Sequence, residues 1–298
     1  MSQPLAVGGA TSATVGDITR AEVKRTSAKE REQKGQWWRF LFIAIITLIV
    51  ITPILAVLFL STQPGQNSTA TGFTLENFQR VLGGTDVMIW LGNSLLVALV
   101  TVVVSVVIAA PAGYVLSRSR SKLVSGYSLV LFVVQALPVV TAAIPLFITF
   151  SAMGLINTLQ GVAIIYIGST MSVAIWMMAA YIDSIPITLE EAAWMDGASV
   201  FSGFVHVVLR NSLPGILSTA IFSFLLAWND YLIALLFLQD FTKYTLPIGL
   251  NTFFQQNAAD WGSVMAVAVI MMLPPVLIFA FLNKYFSVGG IGGSLAGR

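Results

Sequence analysis

The sequence predicts an all-α, polytopic membrane protein with six transmembrane helices and both termini in the cytoplasm. Three observations carry this. Of the 298 residues, 57% are hydrophobic and only 9% are charged, too little polar surface for a water-soluble domain of this length. The mean hydropathy of +0.87 points the same way. Apolar runs long enough to cross a bilayer recur along the chain, and a spanning helix satisfies its own backbone in lipid. Finally, of the 15 lysines and arginines, all but Arg80 and Lys243 fall in the tail or in loops that six crossings put on one side. The positive-inside rule makes that side cytoplasmic.

In chain order, residues 1–36 are expected to be a cytoplasmic polar tail, mostly disordered and briefly helical near the membrane. Its charged part is too long for a secretory signal, and no small-residue cleavage site follows the apolar run. The first transmembrane helix takes residues 37–60, with Trp37 and Trp38 suited to the interface. At about 1.5 Å per residue it reaches about 36 Å, enough to cross. Residues 61–87 form an external loop with turn formers and a short helix opened by Thr74. A five-helix core then occupies 88–286. Its spans are expected at 88–117, 124–150, 158–183, 213–238 and 262–286. Pro138 and Pro145 predict kinks or unwinding in the second of these. Residues 287–298 form a cytoplasmic, glycine-rich tail.

Several chemistries are excluded. There is no cysteine, so there is no disulfide, thiolate metal site or thiol nucleophile. The single histidine, His206, rules out a multi-histidine metal site. No G-x-x-x-x-G-K-[ST] phosphate loop occurs, so the chain does not hydrolyse ATP by that route. No H-E-x-x-H, G-x-S-x-G or paired carboxylates mark an intramembrane enzyme.

One stretch interrupts the apolar chain: TLEEAAWMDGASVFSGF, Thr188–Phe204. Pro186 stops the preceding span. Thr188 is placed as an N-cap with Glu191 three residues on, a capping box. Glu190 and Glu191 suit the positive end of a helix. Gly197 fits a left-handed C-cap after Asp196, and Ser199 caps a second helix towards Arg210. The product is a helix–glycine–helix elbow over residues 186–204. Ala192, Ala193, Trp194, Met195, Val200, Phe201 and Phe204 give it an apolar side too large for a solvated turn, as expected of a surface that meets a partner.

Here the chain resembles a known family. EAAWMDGASVFSGFVHVVLRNSLP is similar to the EAA loop of ABC-importer permease subunits, with Glu191, Ala192, Ala193, Asp196 and Gly197 matching. Val207 and Leu209 match its aliphatic positions. Arg210 stands where that family usually has proline and Val205 where a basic residue is common, so the helix after the elbow is expected to continue smoothly into the next span. FTLENFQRVL, AWNDYLIAL, YTLPIGL and VGGIGGSLAGR resemble the carbohydrate branch of the family, its maltose-type second permease. The likeness covers most of residues 37–298.

The resemblance implies the fold of an ABC type I importer permease in a bacterial or archaeal cytoplasmic membrane. The function it implies is ATP-driven import of a sugar or oligosaccharide. The implied partners are a second homologous permease, two ATPase subunits and an extracytoplasmic sugar-binding protein, with no nucleic acid. ATP and Mg would lie on the ATPases and no cofactor on this chain. Glu190, Glu191, Ala192, Ala193, Asp196 and Gly197 would then be the coupling residues, with both glutamates suited to a partner's arginine.

Polar groups within the spans supply substrate-path candidates: Asn229 and Asp230, with Gln135 and Trp176 behind them. A carboxylate in a span must face a cavity or a partner group, so Asp230 either lines the path or fixes its helix to a neighbour. Gln135 is equally explained as interhelical glue, and Trp176 as packing. Asp183, His206 and Arg210 are expected to pair locally. Asp260 and Trp261 either meet an external protein or, for Trp261, belong to the interfacial belt. The scarcity of other intramembrane charge argues against a proton- or sodium-coupled carrier. An ABC permease for glycerol phosphate, an amino acid or a polyamine is the alternative cargo reading.

Overall fold

The computed structural model describes residues 15–64, 72–254 and 260–290, the side chains of 15–36 and 286–290 excepted. Among these residues every regular element is a helix. The chain divides into two units, Met1–Ala56 and Val57–Arg298. The first holds most of α1 (Val15–Ser61). This helix already runs at Val15, so the helical part of the tail exceeds the brief turn expected. Alanine, lysine, glutamate, arginine and glutamine crowd residues 21–34, and all are strong helix formers. Residues 1–14 lie outside the described set.

The second unit contains α2 (Glu76–Gly84), α3 (Val87–Arg118), α4 (Lys122–Ala136), α5 (Ala143–Ala152) and α6 (Leu159–Asp183). Then come α7 (Thr188–Met195), α8 (Val200–Gly203), α9 (Leu209–Asn211), α10 (Leu213–Asn229), α11 (Leu232–Phe237), α12 (Leu246–Thr252) and α13 (Trp261–Gly290). Its centre is α3 packed along α6, with α10 against both. Small residues make this possible, as packing between apolar helices in lipid requires. A Cβ added at Gly113 of α3 would stand 2.7 Å from Met178 Cβ and 2.9 Å from the Ala179 backbone nitrogen of α6. One at Gly215 of α10 would collide with the Tyr181 ring. The buried hydroxyls Ser105 and Thr170 bond across α3 and α6 at 2.9 Å.

Two core clusters result. One surrounds Trp90, Tyr166, Trp228 and Phe237; the other joins Ala109, Ile175, Met178 and Ile182 to Phe204, the last residue of the elbow, and to Val208 beyond it. Against the second cluster the elbow is seated.

Among the described residues four helical stretches are long and apolar enough to cross a membrane, or up to six if each of two bent pairs is one span. The expected span 124–150 is one bent pair: α4 meets the Val139–Ala152 stretch at 83°. The break falls at Leu137 and Pro138, as Pro138 predicts. Pro145 makes no break, because it sits in the first turn of α5, where its missing N–H costs no helical bond. The expected 213–238 span is also not continuous: α10 ends at Asn229, Asp230 is extended with ψ 131°, and α11 starts at Leu232.

At the end of the bundle away from the elbow, Asn157 adopts a left-handed φ of 56°. Its side-chain oxygen accepts the backbone N–H groups of Gln239 and Asp240, both at 3.0 Å. Its own N–H donates to the Phe237 carbonyl at 2.8 Å. The helix expected after Thr74 is α2, and the Thr74 hydroxyl accepts the Glu76 N–H at 3.2 Å. Buried Asn77 donates to the carbonyls of Ser61 and Gln63. Arg80 pairs with Asp260 at 2.7 Å, tying α2 to the start of α13.

Candidate functional site: the elbow between α6 and α10

The elbow is built as a loop with two capped ends and one buried root. α7 starts one residue earlier than the capping box requires. Ile187 is its N-cap, and the N–H groups of Glu190 and Glu191 bond the Ile187 carbonyl at 2.9 and 3.0 Å. Thr188 is therefore the first helical residue and makes no side-chain cap. Pro186 and Ile187 form a tight turn that opens the helix without it, and this corrects the expected box.

The far end of α7 follows the expectation. Gly197 has φ +89°, and the chain closes with Gly197 N–H to Trp194 O at 3.0 Å and Ala198 N–H to Ala193 O at 2.9 Å. This pair of bonds is the Schellman arrangement, which needs a residue tolerant of left-handed geometry. Ser199 then caps α8, its hydroxyl accepting from Ser202 N–H at 3.2 Å. The Trp194 indole lies over Gly203, where a Cβ would be 3.1 Å from Nε1. So α7 folds back on α8 and the elbow is a closed unit.

α8 runs through a π turn, Phe204–Val208, into α9. The helix does not continue smoothly into α10. Val200–Asn211 and Leu213–Asn229 meet at 73°. Ser212 departs from helical geometry with φ −87° and ψ 5°, and Pro214 has no N–H to carry the hydrogen-bond ladder across.

The six expected coupling residues do not behave alike. Glu191, Ala192, Asp196 and Gly197 are exposed and Ala193 is half-buried. Beside them stand Met195, 88% exposed, Phe201, 75% exposed, and Val200 and Trp194. An acid, a small-residue face and large apolar side chains therefore share one surface. Glu190 is the exception. It is fully buried, and its carboxylate faces inward rather than towards a partner. Arg118 Nε donates to Oε1 at 2.8 Å and the Tyr114 hydroxyl donates to Oε2 at 2.8 Å. Arg118 Nη2 also donates to the Ile185 carbonyl at 2.9 Å, where the elbow leaves α6. Next to it, the Ser117 hydroxyl donates to Asp183 at the end of α6 at 2.6 Å. The root of the elbow is thus bound to the end of α3. Removing one member of a buried charge pair leaves the other uncompensated, at a cost of about 3–5 kcal/mol. His206 bonds within its own helix to Ser202, and Arg210 is exposed.

Tyr114 and Arg118 did not emerge from the sequence as site residues. Arg118 registered there only as one of the basic residues marking a cytoplasmic loop. The signal that could have found it is the pair of adjacent glutamates set directly between Leu189 and Ala192–Ala193: one of them needs an internal cation if it turns inward.

The candidates within the spans separate into two levels. Asp230 Oδ2 accepts from the Tyr166 hydroxyl at 2.7 Å and from the N–H groups of Ile233 and Ala234 at 3.1 and 3.2 Å. It fixes α10 to α6 and caps α11, whose positive end favours the carboxylate. Asn229 is exposed, with its amide turned back to the Leu225 carbonyl at 2.9 Å. Trp176 is half-buried against Phe132 of α4, ring centroids 6.3 Å apart. Gln135, one turn beyond Phe132, is exposed. Trp176 lies ten residues along α6 from Tyr166, roughly 15 Å along the axis. The four residues therefore do not line one compact site in this chain. Among the described residues no group of acidic or histidine side chains could hold a metal ion.

Comparison with known proteins places this geometry. Residues 105–288 match the model of the binding-protein-dependent transport system inner membrane component. A putative ABC transporter permease of Streptomyces antibioticus is 36% identical over 203 residues, covering 68% of this chain and 89% of that protein. The trehalose/maltose transport system permease of Thermococcus litoralis is 33% identical over 231 residues, covering 76% of this chain and 82% of the relative. A chain from the crystal structure of a bacterial ABC transporter involved in the import of the acidic polysaccharide alginate superposes with a TM-score of 0.72. It is 20% identical and matches 93% of this chain and all of that one, so it shares the fold. With more than half of the chain matched and the elbow inside the matched span, the protein belongs to the ABC-transporter permeases of the binding-protein-dependent inner-membrane family.

Proposed function

We propose that this chain is one of two permease subunits of an ATP-driven importer for a sugar or oligosaccharide. The elbow is its coupling point to a cytoplasmic ATPase. The observation that carries this reading is the elbow's construction: a surface of acid, small and large apolar side chains, on a closed helix pair whose root is locked to α3. Such a surface fits a groove on another protein, and a locked root passes on force applied to it.

The cargo assignment rests on relatives. The Thermococcus litoralis protein carries a trehalose/maltose name, and another relative is named a maltodextrin transport system permease. In this reading six spans cross the membrane, both termini and the elbow face the cytoplasm, and the partners are a second permease, two ATPases and an external sugar-binding protein. ATP and Mg lie on the ATPases. Glu191, Ala192, Ala193, Asp196 and Gly197 meet the ATPase, with Glu191 reaching an arginine there. Asn229, Asp230, Gln135 and Trp176 contribute to the path only as far as a sister subunit completes it.

Isolation from native membranes tests the reading. An ATPase polypeptide and a second permease are expected to accompany this chain, and hydrolysis is expected to rise with one sugar and its binding protein. Uptake of that sugar by this chain alone, in liposomes without ATP, would overturn it.

A further inference from the structure

The buried carboxylate of Glu190 is a group the docking surface does not use. Its Arg118 partner is the last residue of α3, and Tyr114 lies one helical turn earlier. The pair sits at the junction of three elements. Arg118 holds Glu190 of α7 and the Ile185 carbonyl that precedes α7, and Ser117 holds Asp183 at the end of α6. Just above, Gly113 lets α3 touch the α6 backbone. On its other side the elbow continues only through the 73° corner at Ser212.

We propose that Glu190, gripped by Arg118 and Tyr114, is a positioning residue that makes α7 and α3 one lever. A push on the elbow then displaces the length of α3 instead of bending the chain at Ile185. The proposal rests on the coupling reading above. The physical ground is stiffness. An elbow hung only on backbone would yield at Ser184 and Ile185, which no helix spans. A buried carboxylate held on one oxygen by Arg118 and on the other by Tyr114, with Arg118 also bonded to the Ile185 carbonyl, has one geometry and resists that yielding.

Because the chain has no cysteine, spin labels can be placed by Thr188→Cys on exposed α7 and Met88→Cys at the exposed far end of α3. The label-to-label distance is read in the assembled complex with cysteine-free partners, without nucleotide and after trapping with ATP and vanadate. In the otherwise unaltered chain the distance is expected to hold between the two states. In E190Q and R118Q it is expected to shift by about 5 Å, the scale of one helical turn. Vanadate-sensitive hydrolysis persists in these variants, while its stimulation by binding protein falls about tenfold, within the usual range of coupling between sites. The reversed pair R118E/E190R is expected to restore the constant distance. A merely structural role would lower assembly without altering the distance in the complexes that form. Constant distance in E190Q and R118Q, or a shift in the unaltered chain, overturns the proposal. Failure of E190Q, R118Q and R118E/E190R alike to assemble assigns the pair to folding alone and also overturns it. A complex with no ATPase activity even before substitution defeats the coupling reading itself and removes the motion to be carried.

Discussion

Glu190 and Glu191 are neighbours in sequence, yet one is fully buried and the other exposed. Adjacent helical positions point about 100° apart, so their divergence is ordinary geometry. Which of the two turns inward is decided by Arg118, 72 residues away in the chain. That long-range contact is why the acidic pair was legible in the sequence and the role of each member was not. Gly197 is the opposite case: a glycine after a short capped helix announces its conformation locally, and its φ of +89° agrees. Gly197→Leu would place a side chain in left-handed geometry at a cost of about 1–2 kcal/mol. Nothing lies within 4 Å of its added Cβ, so the variant should insert normally. Its binding-protein-stimulated hydrolysis should drop about tenfold, since 1.4 kcal/mol is a factor of ten; unchanged stimulation would contradict the role given to the turn. On the other face, partial burial pushes the Asp260 carboxyl up, but hydrogen bonds from Ser263 and Arg80, with the Arg80 charge, hold it below the usual carboxylate range. A depressed pKa means the Arg80–Asp260 tie contributes fully above that usual range and is lost as pH falls through the lowered value. Protection of the α2 amides, taken as exchange relative to the intrinsic rate at each pH, should therefore stay constant near neutrality and fall only in acid. Asp260→Asn should remove that acid step.

The helices repeat this contrast between local and distant causes. The bend between α4 and α5 was visible in Pro138, because a missing N–H and a clashing ring act where the proline stands. The break at Asp230 was not visible, since AWNDYLIAL carries no proline or glycine to stop a helix and its Asn229–Asp230 pair reads equally as polar groups within a continuous span. It forms because the Asp230 carboxylate finds the Tyr166 hydroxyl of α6 and two free N–H groups at the start of α11. The corner at Ser212 was missed for a related reason: the absence of a proline at Arg210 pointed to continuity, while the stop comes from Pro214 two residues after Ser212. Asp230→Ala should cost about 1.5–3 kcal/mol, the range for hydrogen bonds to a charged group. Combined with Tyr166→Phe the losses should be less than additive in thermal unfolding in detergent, because both remove one contact. Strict additivity would show that the two residues act apart. At the tightest crossing, Gly113→Val should lower the melting temperature by an overpacking cost of about 1–3 kcal/mol, since the obstructing atom at 2.9 Å is α6 backbone that has no rotamer to move.

For the whole molecule, composition alone points to the membrane class, and the basic residues predict an orientation that local packing does not encode. Arg80 and Lys243 stand apart from all the other lysines and arginines, so the sidedness is testable with single cysteines in this cysteine-free chain. A probe at Thr188 or Ser199 should react with impermeant thiol reagent only from the cytoplasmic side, and one at Gln239 only from outside; the reverse pattern would invert the topology and end the coupling assignment. Broad apolar surfaces on α4 and α5, from Phe132 to Ile148, stay exposed in the isolated chain, as suits a membrane-spanning chain whose apolar faces meet lipid or other apolar helices. The far end of the bundle carries its own constraint. Because Asn157 grips the backbone at both Gln239 and Asp240 while its N–H holds Phe237, the turn preceding α6 and the strand-like stretch following α11 are riveted together. Any aperture on that rim must lift the two as a single flap, and neither can peel away by itself.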